Sequence, residues 1–155
     1  MRLNRKVEYA LLALKHLSLQ GENGLSSSRE ISGSNGIPFD MMAQVLRSLA
    51  RGGVLKSDQG ARGGYSLAKN LEMVSLYDIH KIILGPLYLA HCLNPEPTKS
   101  CDLISSCSIQ KPVDRLNRRF QIFLRSISAS ELVSDDYEIT SADKTPLVSE
   151  VEGVS

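Results

Sequence analysis

All three cysteines of this 155-residue chain, Cys92, Cys101 and Cys107, fall in one short stretch. The stretch is polar and carries Pro95 and Pro97, so it reads as a loop. Thiolates are soft donors, and three from one loop suit an iron–sulfur cluster, one ligand short of the usual four. Zinc can take the same three plus a carboxylate or a histidine. Without metal, the thiols themselves can report redox state. His91 adjoins Cys92, but side chains adjacent in sequence are poor partners on one metal. The odd cysteine count argues against a disulfide framework. No signal peptide and no run of about 18 apolar residues is readable. The expectation is a cytoplasmic chain with no membrane span and reduced thiols.

The elements that must position these thiols begin at the N-terminus. Leu3, Val7, Ala10, Leu11 and Leu14 recur at helical steps, predicting an amphipathic helix to about Gln20. Ser27 and Glu30 form a capping box that opens a short helix through Ile31, with a turn at Gly33-Ser34-Asn35-Gly36. Pro38 suits the first turn of a third helix carrying Met42, Val45, Leu46 and Leu49 on one face and stopping at Gly52-Gly53. Val54-Leu55-Lys56 and Tyr65-Ser66-Leu67 read as two strands around a glycine-rich tip. Helix, short helix, turn, helix, hairpin is the order of a winged helix-turn-helix. A fourth helix follows, capped by Ser75.

Beyond the cysteines, Lys111-Pro112 opens a long helix to about Ser128. Val113, Leu116, Phe120, Phe123 and Ile127 form a heptad-like seam on it, widened by Ile122 and Leu124. Such a face asks for a partner surface, the same helix of a second subunit, unless it packs on the chain's own domain. Residues 133–155 lack periodicity and are expected to be a disordered acidic tail. The fold class expected is mainly α with a small β-hairpin wing. The divisions are a DNA-binding domain over 1–84, a cysteine loop over 85–110, a dimerisation helix over 111–132 and the tail over 133–155.

Charge is uneven. Residues 1–70 hold ten Lys/Arg against five Asp/Glu, whereas 133–155 hold six acids and Lys144. A basic front half fits a nucleic-acid binder. No Ser/His/Asp set, phosphate loop or carboxylate pair is readable, which argues against an enzyme. A protein-interaction module that does not bind DNA is the rival class.

The residues Ile37-Pro38, Gly60-Ala61-Arg62-Gly63-Gly64-Tyr65-Ser66-Leu67-Ala68, Val74-Ser75-Leu76-Tyr77-Asp78-Ile79, the three-cysteine loop and Ser130-Glu131-Leu132-Val133 occur in an order that resembles one family. That family is the winged-helix regulators that include IscR and NsrR, and the resemblance runs from Met1 to about Val133. It implies a homodimeric DNA-binding transcriptional regulator, expected here to be a repressor. Its DNA affinity would follow an iron–sulfur cluster, 2Fe–2S or 4Fe–4S, that senses redox state, nitric oxide or iron–sulfur status. A cluster-free member acting through its thiols or a partner protein is the alternative.

By resemblance to the NsrR-like members, an acidic side chain from the partner's first helix completes the cluster, and Glu8 stands at that position. The histidine that IscR-like members place three residues after the third cysteine is Gln110 here, so that role does not carry over. Eight residues separate Cys92 from Cys101, more than relatives have, and five separate Cys101 from Cys107.

The expected partner is a double-stranded DNA operator. Its contacts are expected from Arg2 and Lys6 on the first helix, Ser28 on the second, Phe39, Met41, Gln44 and Arg47 on the third, and Gln59, Arg62 and Gly63 in the wing. Gln44 can pair with adenine, Arg47 and Arg51 suit phosphates, and Arg62 suits a minor groove. Many relatives have an arginine where Gln59 stands, so wing readout is expected to rest on Arg62. For Glu8, Phe39, Met41 and Gln44, ordinary solvated or packed roles compete with these readings.

Overall fold

The computed structural model describes residues 3–21, 24–95 and 101–135. Arg2, residues 96–100 of the cysteine stretch and the acidic end from 136 lie outside the described residues.

Helix α1 spans Arg5–Leu19 and is capped by Asn4, whose side chain accepts from the Lys6 amide at 2.9 Å. Its buried stripe is Val7, Ala10, Ala13, Leu14 and Leu17. Leu3 precedes the helix and is exposed, so the stripe starts one turn later than the periodicity predicts. Helix α2 spans Ser28–Asn35 behind the expected capping box: Glu30 Oε2 accepts from the Ser27 amide at 2.7 Å, and Ser27 Oγ accepts from the Glu30 amide at 3.2 Å. The bond from the Ser27 amide, helped by the Ser27 hydroxyl, holds the Glu30 carboxyl below its ordinary pKa. The helix runs past Ile31 to Asn35, so the predicted four-residue turn shrinks to its last residue, Gly36. Helix α3, Phe39–Arg51, starts just after Pro38 and buries Met42, Ala43, Val45, Leu46 and Leu49.

Strands β1, Leu55–Asp58, and β2, Gly64–Leu67, pair antiparallel with Leu55 opposite Leu67. A third partner was not legible in the sequence. Ser26 and Tyr65 exchange both backbone hydrogen bonds, at 3.1 and 2.8 Å, which ties the wing to the entrance of α2. Gly64 permits this contact, because a Cβ there would lie 2.6 Å from the Ser26 carbonyl oxygen. The chain is mainly α with one small hairpin, and the core is the apolar faces of α1, α3 and the helices below packed together.

Helix α4, Leu76–Leu84, is capped by Ser75 in a second capping box with Asp78. Helix α5 spans Gln110–Ser126, and a short α6, Ala129–Val133, follows a third capping box at Ser128 and Glu131. One helix from 111 to 132 is therefore not what forms. The chain breaks at Ile127-Ser128 to pair with the strand-like residue ahead of α4. The Leu76 amide donates to the Ile127 carbonyl at 2.9 Å, and the Ala129 amide donates to the Val74 carbonyl at 2.7 Å. Arg125 caps the corner over the Tyr77 ring at 3.8 Å. Among the described residues, no helix is long and apolar enough to cross a membrane.

His80 on α4 is half-buried, and its buried Nδ1 has no hydrogen-bond partner among the described residues. Burial lowers its pKa from the ordinary 6.5, with the Gly85 backbone favouring the protonated ring more weakly. Between the depressed folded value and 6.5 the unfolded chain binds more protons than the folded one. Stability is therefore expected to fall as pH drops below 6.5. Denaturant unfolding at about pH 7.5 and about pH 5.5 should show His80→Gln losing part of the wild-type pH dependence.

Candidate functional site

The wing, the entrance of α2 and the start of α3 line one open groove of ≈ 480 Å³. Ser28, Phe39, Gln59 and Gly63 all line it, so four of the sequence-selected residues come together. Phe39 is exposed at the first position of α3, and Gln44, Arg47, Gln59 and Arg62 are exposed on α3 and the hairpin tip. Met41 is different: it is half-buried and packs against the core, which favours a packing role over contact with a base. Gly63 also has a structural reason. A Cβ there would lie 2.5 Å from the Asp58 carbonyl oxygen, and its amide donates to the Gly60 carbonyl at 2.9 Å, so it closes the hairpin tip.

Arg29 also lines the groove, exposed at the start of α2, and the sequence reading overlooked it. The signal was available: the capping box places the positive end of the α2 dipole and its first amides beside Arg29, a setting that favours phosphate. Asp58 brings negative charge to the same groove, offset by Lys56 at 3.3 Å. Lys6 is half-buried in the first turn of α1.

The three cysteines are all half-buried, and none of them is in a disulfide. Cys92 sits in a 3-10 turn, His91–Leu93, and Cys101 and Cys107 bracket a run of turns before α5. The Ile104 amide donates to the Cys101 carbonyl at 3.1 Å. Glu8 lies exposed on α1, while Val7 and Ala10 are buried; the Arg5 charge is favoured by Tyr9 first and by Glu8 to a lesser degree. Three thiolates are the right donor chemistry for an iron–sulfur cluster. Their placement within one chain does not close a site: among the described residues, no three His, Cys, Asp or Glu side chains gather to hold a metal ion.

Helix α5 presents two faces. Val113, Asn117, Phe120 and Leu124 turn inward, half-buried or buried. Ile109, Leu116, Ile122 and Phe123 are 61%, 58%, 66% and 56% exposed. The predicted seam is therefore split, with Phe120 and Ile127 packed against the chain's own core, Val113 half-buried, and Leu116 and Phe123 facing outward.

A helical domain with a reading helix, a wing and a cysteine segment has counterparts. The chain is 25% identical over 139 residues to the HTH-type transcriptional regulator NsrR of Shouchella clausii (strain KSM-K16), covering 90% of this chain and 93% of that protein. It is 30% identical over 129 residues to a protein of Aquifex aeolicus (strain VF5) provisionally named an HTH-type transcriptional regulator, covering 83% and 88%. Its fold matches the solved structure of T. potens IscR with a TM-score of 0.63 at 23% identity, covering 87% of this chain and 88% of that one. The family model described as Rrf2, iron-dependent transcriptional regulator, matches residues 3–135. The chain belongs to the Rrf2 family and is a DNA-binding winged-helix transcriptional regulator, not an enzyme.

Proposed function

We propose that this chain is a homodimeric repressor that reads a duplex operator with α3 and the wing, and that chemistry at Cys92, Cys101 and Cys107 sets its DNA affinity. Residues 1–84 then read DNA, 85–110 carry the sensing thiols, and the helical region over 111–132 joins two subunits. One observation carries this reading. Every thiol of the chain lies in the segment linking α4, which packs on the reading helix α3, to α5, which carries the exposed apolar stripe. That position, between a helix packed on α3 and the helix proposed to pair, supports coupling of chemistry in the segment to both reading and pairing.

The group best suited to the donors is an iron–sulfur cluster, 2Fe–2S or 4Fe–4S, held by the three cysteines and by Glu8 of the partner subunit. When bound, it would supply a centre sensitive to redox state and nitric oxide. Exposure of Glu8 away from its own core supports the role across subunits. Anaerobic purification with an absorption spectrum and iron and sulfide counts tests this. Brown protein with matched iron and sulfide is expected, and colourless protein without either would overturn it. In a second reading the thiols, which can report redox state by themselves, act without metal. That reading expects colourless protein whose DNA affinity still changes on alkylation.

DNA binding should be strongly salt-dependent, because phosphate contacts release counterions. Arg62→Ala and Arg47→Ala are each expected to lower the slope of log affinity against log salt by about one contact's worth, roughly 0.9. Fluorescence anisotropy across a salt series checks this, and unchanged slopes would remove both residues from the interface.

A further inference from the structure

The inward face of α5 includes two amides where aliphatic side chains would fill the space. Asn117 is 5% exposed, and its Oδ1 accepts from the Leu89 amide at 3.0 Å. One turn on, Gln121 is half-buried, and its Nε2 donates to the Leu87 carbonyl at 2.8 Å. Leu87 and Leu89 belong to the irregular chain that leaves α4 and reaches Cys92. Backbone without a strand or helix partner must find its hydrogen bonds elsewhere, and two side chains of α5 supply them. The pair thus pins the approach to the first thiol onto the helix with the exposed apolar stripe. At its other end α5 is fixed to α4 through the bond from the Leu76 amide to the Ile127 carbonyl and the Arg125–Tyr77 contact.

We infer that Asn117 and Gln121 are positioning residues that transmit the chemical state of the cysteine segment to α5, and through it to the spacing of the two reading helices. Neither residue is a thiol or part of the DNA-facing groove. If the segment rearranges when its thiols change state, these two bonds either carry α5 along or break; both outcomes alter the surface that α5 offers. A merely structural amide would change stability and shift DNA affinity equally in every thiol state. A positioning amide changes the ratio between states. The inference rests on the reading that thiol chemistry governs DNA affinity.

The test uses the full chain and a duplex selected from a randomised library by the wild-type protein. Kd is measured for fully reduced protein and for protein alkylated with iodoacetamide. Wild type is expected to shift by about tenfold or more between the two, within the usual range of coupling. Asn117→Leu and Gln121→Met should bring that ratio to within about twofold while leaving the reduced Kd within about threefold. Asn117→Asp, which keeps an acceptor for the Leu89 amide, should retain the shift. If Asn117→Leu fails to fold by thermal unfolding, Gln121→Met carries the test; failure of both to fold would assign the pair a structural role and overturn the inference. Variants that fold and keep the wild-type ratio overturn the inference alone. A wild-type Kd indifferent to alkylation overturns the thiol reading, and the inference with it.

Discussion

Leu116→Glu combined with Phe123→Glu is expected to give a monomer at micromolar concentration, where wild type is expected to sediment as a dimer. The two side chains are 58% and 56% exposed on α5 and belong to neither the core nor the groove. Burying a large apolar side chain contributes about 1.5–3 kcal/mol, and a two-fold interface repeats each contact. Replacing these contacts with like charges facing each other should weaken association by many orders of magnitude, while the fold of the exposed surface is spared. Operator affinity should drop with it, by about 10²–10⁴-fold, because tethering supplies the effective concentration for the second half-site. Sedimentation velocity and anisotropy on one selected duplex check both effects. Phe120 is the wrong place to make this test: it packs partly against its own domain, so a charge there would disturb folding as well. A double variant that remains dimeric would move the interface elsewhere.

Single replacement of Cys92, Cys101 or Cys107 by alanine is expected to abolish the iron and sulfide content of anaerobically purified protein. Glu8→Ala should leave most of it, with an altered spectrum and faster loss under nitric oxide. The contrast follows from the donors. Three thiolates are strong soft ligands, and removing one leaves two, whereas an exposed carboxylate is a weaker ligand that water or added thiol can replace. Glu8 near the start of α1 otherwise only complements the helix dipole, worth about 0.3–1 kcal/mol, with no spectral consequence. Iron and sulfide assays with absorption spectra on the four variants separate the cases. Full content in any cysteine variant would break the equivalence of the three ligands, and an unchanged spectrum and nitric-oxide response in Glu8→Ala would remove that residue.

Much of the reading domain is legible in the sequence because its signals are local. Ser27 with Glu30 marks the start of α2 through the spacing of a capping box, and the apolar face of α3 from Met42 to Leu49 repeats at helical steps. The wing follows from glycines between two short β-prone runs. What escaped detection is non-local. The Ser26–Tyr65 pairing and the Ser75–Ser128 bridge join residues far apart in the chain, and no periodicity announces them. The split of α5 has a more specific cause. Its inward face is carried partly by Asn117 and Gln121, and a search for apolar repeats passes over polar residues. The pattern therefore locks onto Val113, Leu116, Phe120 and Phe123, a seam rotated partly toward solvent. Chemistry was legible as residue type: three thiols in one stretch name the donors, but not whether they converge.

The central claim is that the cysteine segment sets the grip on DNA. It is tested most directly by the Kd for one selected duplex, measured under anaerobic conditions before and after nitric oxide, in wild type and in the variant with all three cysteines changed to alanine. Wild type is expected to shift by about tenfold or more, and the triple variant to hold one affinity under both conditions. Equal Kd values before and after nitric oxide in wild type, or an equal shift in the cysteine-free variant, would contradict the claim.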